Sequence, residues 1–418
     1  MIGYEPSVEP TPGQPLGSWP STWCLANLAL LILIVAMACS IGADREGTQA
    51  PTDSIPQAFT PAPQPTVATD ADEQWMMFRR DLGHTGARGA DGVRGGPALR
   101  WEFDTGGVVE SSPALVSGVV YAGTFNRSLL ALDASSGELR WRFSVGGLLR
   151  ASPSVVDGTV YFGADDNRFY ALTADTGDEL WSFALGAGGE QSSPAVANGR
   201  VYFGAFDRNV YALDAETGNE VWRFTTRAGI LSSPAVHAGM VFIGSIDGNL
   251  YALDERTGNE TWRFTTSGPV FSSPAVRDDV VYFGSDDSSV YAVDAVSGNQ
   301  LWVFRTGGEV FSSPAVVNST VYVGSGDGFM YALDAATGKL LWNVGLGGPV
   351  LSSPAVLGEL LYVGSSDGRL YAIERSSGRV AWKFEVGDLV WTSPAVGDGT
   401  VYFGSHDGKI YAIEENAR

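Results

Sequence analysis

From about residue 99 onward the apolar positions fall into short runs separated by glycine, aspartate, asparagine or serine. Residues 271–310 show the unit: Phe271-Ser-Ser-Pro-Ala-Val276, Val280-Val-Tyr-Phe-Gly-Ser285, Val290-Tyr-Ala-Val-Asp294 and Leu301-Trp-Val-Phe-Arg305. Runs of this length, rich in Val, Tyr, Phe and Trp and bounded by turn residues, predict four β-strands, and no helical period competes with them. The link Asp294-Ala-Val-Ser-Gly298 reads as a type I turn closed by a glycine at positive φ, and Asp254 to Gly258 and Asp334 to Gly338 repeat it.

The unit then recurs. Tryptophan stands at 101, 141, 181, 222, 262, 302, 342 and 382, every interval being 40 residues except one of 41. A Ser-Pro pair keeps the same beat from Ser112-Pro113 to Ser393-Pro394. Four antiparallel strands every 40 residues, copied eight times, predict an all-β, eight-bladed β-propeller with four-stranded antiparallel blades. The repeats open with a tryptophan strand, Leu99 to Asp104, and close after Ile410 to Glu414 with none. The N-terminal strand is therefore expected to complete the last blade, and each tryptophan to pack between neighbouring blades.

The string Leu250-Tyr-Ala-Leu-Asp254, Thr257-Gly258, Trp262 resembles the docking motif of quinoprotein-type propellers, the pyrroloquinoline quinone (PQQ) repeat family. The resemblance covers all eight copies, with departures: the first copy lacks the tyrosine (Leu130 to Asp133), the second replaces the aspartate by Thr173, and the last two carry Glu374 and Glu414. Trp75 to Asp81 with Thr85-Gly86 is similar to the segment that precedes the first blade in such proteins. The family contains PQQ-dependent dehydrogenases and cofactor-free members, notably the BamB-type lipoprotein of outer-membrane barrel assembly, so fold alone does not choose between them.

Ahead of the repeats the pattern changes. Residues 23–42 carry no charge and include the run Leu28 to Val35, long enough for a bilayer core. The run ends in Val35-Ala36-Met37-Ala38-Cys39, which resembles a bacterial lipobox and makes Cys39 the lipidation candidate, although Ala36 stands where that motif prefers leucine. Residues 1–42 are thus read as an export signal, lipoprotein leader or single transmembrane anchor, and 43–73, with five prolines among Thr, Ala and Gln, as a disordered tether. Residues 74–98 form a lead-in and 99–418 the propeller. The implied location is the extracytoplasmic side of a membrane.

The formal charge of −21 speaks against nucleic acid as a partner. No cysteine follows Cys39, so the disulfide that the resemblance implies for a dehydrogenase is missing, as are the long insertions of catalytic members. His84, His237 and His406 lack paired metal-ligand spacing, and the Asp-Gly pairs at 247, 327, 367 and 407 read as hairpin turns rather than calcium loops. No catalytic or metal residue, and neither PQQ nor calcium, is expected.

Candidate binding residues are those that break the repeat. Ahead of each Ser-Ser-Pro or its equivalent stand Glu110, Arg150, Gln191, Leu231, Phe271, Phe311, Leu351 and Trp391, polar on three blades and apolar on five. Two residues after the glycine of each second strand stand Phe125, Asp165, Phe206, Ile246, Asp286, Gly326, Ser366 and His406. Strand alternation sends both sets to one face, near the central channel. They are expected either to form a recognition surface with an aromatic anchor or to fill a narrow channel as packing.

The expectation is a non-catalytic, membrane-tethered, monomeric binding or scaffold propeller of the cell envelope. The resemblance implies a role in outer-membrane protein assembly, with an envelope protein or extended peptide on the channel face. The alternatives are a PQQ-dependent dehydrogenase and an extracytoplasmic ligand sensor.

Overall fold

The computed structural model describes residues 76–416 apart from 79, 85, 89–92, 94, 187, 190–191 and 398. Eight four-stranded antiparallel sheets follow one another around a ring, as the repeat requires. In blade 5 the strands are Ala275–Arg277, Val280–Ser285, Ser289–Asp294 and Gln300–Arg305, counted outward from the channel. Blade 8 is built from Ala395–Gly397, Thr400–Gly404 and Lys409–Glu415, and its outer strand is the N-terminal Pro97–Asp104. The two ends of the repeat array thus close the ring within one sheet.

Burial follows from position in the blade. Second and third strands have neighbours on both faces, and Val119–Thr124 is buried throughout. Outer strands alternate, and Glu260–Thr265 is half-buried and exposed in turn. The apolar core lies between blades: Phe242, Leu250 and Ala252 of blade 4 pack on Val281, Phe283 and Val293 of blade 5.

The tryptophans tie each blade to the next. Trp222 Nε1–H donates to the Glu255 carbonyl of the following blade at 3.0 Å. Its ring lies 2.6 Å from where a Cβ on Gly258 would stand, and Gly258 has φ +74°, so this turn position admits only glycine. Asp254 Oδ1 fixes the same turn by accepting from Thr257 N at 2.8 Å and Thr257 Oγ1 at 2.6 Å. The hairpin aspartates are likewise turn residues: Asp247 accepts from Tyr251 OH at 2.8 Å and from Asn249 N at 3.1 Å.

Blade 8 receives its outer strand from the N-terminus and so has no such turn to offer Trp382. The lead-in supplies the substitute. Trp382 Nε1–H donates to Val93 O at 2.8 Å, and Val93 N–H donates to Tyr362 OH at 2.7 Å. Val93 is 1% exposed.

Upstream, the lead-in runs through the channel. The inner strands turn one edge of backbone toward the axis, and Val155, Val236, Val276 and Val356 donate N–H to the carbonyls of Met76, Leu82, Gly83 and Gly86 at 2.7–2.8 Å. Ala87–Arg88 adds a short parallel strand beside Val356 and Leu357, giving blade 7 a fifth strand. Among the described residues no helix is long and apolar enough to cross a membrane. The apolar stretch 23–42, Cys39 and the tether lie outside the described residues.

Candidate functional site

The channel is narrowed by the Ser-Pro beat. Ser112, Ser152, Ser193, Ser233, Ser273, Ser313, Ser353 and Ser393 form a closed circle in which each backbone N–H donates to the Oγ of the serine on the next blade. The distances run from 2.8 to 3.1 Å, and the last bond joins Ser393 back to Ser112. A serine suits the position because its short side chain reaches across the seam and satisfies a buried N–H that has no strand partner there.

Above this circle the channel opens into a cup of about 180 Å³. Its wall is made of Glu110, Arg150, Leu231, Phe271, Phe311, Leu351 and Trp391, and its floor of the eight serines with Phe78 of the lead-in. Seven of the eight residues that precede the Ser-Ser-Pro motif therefore come together as expected, and all seven are half-buried. The eighth, Gln191, lies outside the described residues.

The second set of variable residues stands beside the first. On blades 8, 1 and 2 the two sets form a polar cluster. Arg150 bridges Asp165 at 3.1 Å and Glu110 at 3.6 Å, and its guanidinium lies 4.8 Å from the centroid of the Phe125 ring. Burial pushes the Glu110 carboxyl above its ordinary value, which Arg150 opposes and Asp165 reinforces. His406 Nε2 lies 3.4 Å from Glu110 Oε1 but is a buried nitrogen that makes no hydrogen bond. Burial holds that imidazole below its ordinary pKa, so at neutral pH the two groups are not an ion pair. Trp391 packs edge-to-face on His406 with centroids 4.5 Å apart, and its Nε1–H donates to Ser366 Oγ at 2.9 Å.

Across the ring the wall is apolar. Phe271 and Phe311 stack with centroids 4.9 Å apart and planes 17° from parallel. Beside them burial, then Glu309, then Asp287 push the Asp286 carboxyl up to about 6. Phe206 stands on blade 3, its ring 3.2 Å from where a Cβ on Gly229 would lie.

Arg150 occupies the space between Glu110 and Asp165, where a cation would otherwise find two carboxylates. Among the described residues no three His, Cys, Asp or Glu side chains are grouped to hold a metal ion. The cup is also smaller than the roughly 300–1,000 Å³ of pockets that enclose cofactor-sized molecules. The described residues that line this cup thus offer no ready donor set for a calcium ion.

Neither the serine circle nor Phe78 follows from the variable positions. The Ser-Pro beat pointed to the first, and no periodic signal pointed to the second.

Two family models match the chain. One is described as the β-propeller of the beta-alanine-activating enzyme and matches residues 94–319; the other, outer membrane protein assembly factor BamB, matches 287–416. No curated protein matches by sequence. Among solved structures, BamB from Moraxella catarrhalis is similar at 20% identity and TM-score 0.67, over 76% of this chain and 99% of that one. A europium-containing methanol dehydrogenase is similar at 14% identity and TM-score 0.72, over 82% and 98%. The computationally designed protein Ika8 is similar at 19% identity and TM-score 0.68, over 74% and 96%. At these identities the likeness is one of fold.

Proposed function

Because the chain belongs to the PQQ-like β-propeller family, matched over more than half its length by the propeller model of the beta-alanine-activating enzyme, we propose that it is a non-catalytic binding propeller. In this reading it is held at the extracytoplasmic side of a membrane by residues 1–42 and the tether 43–73, and it presents the cup to an envelope protein. Outer-membrane protein assembly is the process we assign to it, in line with the BamB family match over 287–416.

The observation that carries the reading is the construction of the cup. Its floor is lined by the serine circle and Phe78, while its wall carries residues that differ from blade to blade, with the Phe271–Phe311 stack set against the Glu110–Arg150 pair. A surface that is small, open and partly aromatic suits a partner's protruding residue better than an enclosed substrate.

Photocrosslinking from position 311 in the native host tests this. Capture of one dominant envelope protein, lost when the probe is moved to the exposed turn position 337 on the opposite face, is the expected result. Background alone from position 311 would overturn the scaffold reading. Dehydrogenases among the structural neighbours make quinone oxidation the competing reading. Added PQQ and Ca²⁺ are expected to leave the chain without bound quinone absorbance and without dye reduction in the presence of alcohols or sugars.

A further inference from the structure

The two sides of the cup are related by the eightfold repeat, and their difference points to a ligand. On blades 1 and 2 four equivalent positions carry Glu110, Phe125, Arg150 and Asp165. Here the protein supplies its own cation: the Arg150 guanidinium lies on the Phe125 ring and bridges both acids. Four blades on, at the diametrically opposite place, the same positions carry Phe271, Asp286, Phe311 and Gly326. The aromatic ring and the acid are again present, but the guanidinium is not. Gly326 leaves open the space that the Asp165 side chain fills on blade 2. Glu309 bends into it, its Oε2 lying 3.0 Å from where a Cβ on Gly326 would be. Asp286 Oδ1 is buried without a hydrogen-bond partner. The charged neighbours that act on Asp286 are Glu309 and Asp287, both acidic. One side of the cup holds a cation among its acids, and the charged neighbours of Asp286 on the other side include none.

The cup between them has the volume of a single large side chain, about 180 Å³, and its apolar wall is Leu231, Phe271, Phe311 and Leu351. We propose that the cup is a socket for a protein loop that presents one apolar side chain flanked by arginine. The apolar side chain fills the space over Phe78, and a guanidinium lies against Phe311 beside Asp286 and Glu309, repeating in trans the contact that Arg150 makes with Phe125 in cis. Arginine suits the place better than lysine, because its planar, weakly hydrated group stacks on a ring while donating to carboxylates at its edge. The inference rests on the binding reading above and names the chemistry of its partner.

The test is calorimetric titration of the full-length chain with three disulfide-cyclised peptides that differ only at the apex: Arg-Leu-Arg, Glu-Leu-Glu and Arg-Ser-Arg. Arg-Leu-Arg is expected to bind at least about ten-fold more tightly than either control, the scale on which a central anchor acts. In Phe311→Arg, which places an internal guanidinium next to Asp286, that preference is expected to vanish while the chain stays folded. Asp286→Asn leaves the aromatic wall intact and is expected to weaken the Arg-Leu-Arg peptide by about three-fold, with a shallower salt dependence. Equal binding of all three peptides, binding of none, or an unchanged preference in Phe311→Arg would each overturn the proposal. The two readings fail separately. Crosslinking from position 311 to an envelope protein, with no peptide binding, leaves the scaffold standing and removes this socket chemistry.

Discussion

Ser112 stands two positions after Glu110, and the same spacing holds on every blade, yet the two levels obey opposite rules. The lower level is a circle in which each serine completes its neighbour, so all eight copies must be the same. The upper level has no bond repeated at every seam, only single contacts such as Arg150–Glu110 and Trp391–Ser366, so each copy is free to differ, and charged residues face aromatic ones across the cup. A repeat protein can thus keep a uniform frame and place its individuality one turn of chain above it. Changes in the frame should cost stability and changes in the rim should cost recognition.

The largest effect is expected from removing residues 76–96. That deletion withdraws Met77 and Val93 from the core, opens four backbone bonds to the inner strands and leaves Trp382 without its acceptor. A loss of at least about 4 kcal/mol in urea denaturation is expected. Ser273→Ala comes next. It orphans the buried N–H of Ser233, which now donates to Ser273 Oγ at 2.8 Å, and should cost about 1–3 kcal/mol.

Arg150→Ala brings the comparison up to the rim. It strips the shared cation from Glu110 and Asp165, both partly buried. The cost should be about 1 kcal/mol near pH 7 and should shrink as acid protonates Glu110, whose carboxyl burial holds above its ordinary value, which stability curves at pH 7 and pH 4 would measure. Phe271→Asp combined with Phe311→Asp should keep the native circular dichroism and lower stability by less than about 1 kcal/mol at pH 7. Global unfolding of that double variant would show that the wall is core packing and would erase the distinction between the two levels.

The smallest effect has the opposite sign. The Asp286 carboxyl titrates near 6 in the folded chain against an ordinary 3.8. Its ionisation therefore disfavours the fold, and the stability present below pH 4 is lost as pH rises through 6. Asp286→Asn should be neutral below pH 4 and stabilising above pH 6. The gain should stay below about 1 kcal/mol, because the group is only half-buried and solvent screens it.

The frame was almost entirely legible in the amino-acid order. Strand runs, the turns from Asp to Gly and the tryptophan period are local or periodic signals, and they carried blade number, closure and the convergence of the rim positions. The serine circle was legible only as a rhythm, since its bonds join residues 40 positions apart and no propensity encodes a contact across a seam. The lead-in was opaque for the opposite reason: it has no period at all, and its path depends on backbone edges presented by four blades. Its role at Val93 could have been inferred from the missing turn of blade 8, which leaves one tryptophan without a carbonyl. The pairing of Arg150 with Phe125 needed the structure, because two variable positions on different blades share no sequence signal.

The lead-in also makes this ring a mechanical device. A pull on the chain N-terminal to Met76 reaches the four channel-wall bonds before it reaches the strand that closes blade 8. Those bonds come from blades 2, 4, 5 and 7, so the load meets them in succession on different blades instead of unzipping one sheet edge. The thread behaves as a cleat: a pull from the N-terminal side is met first at the hub of the wheel, ahead of the seam between first and last strand.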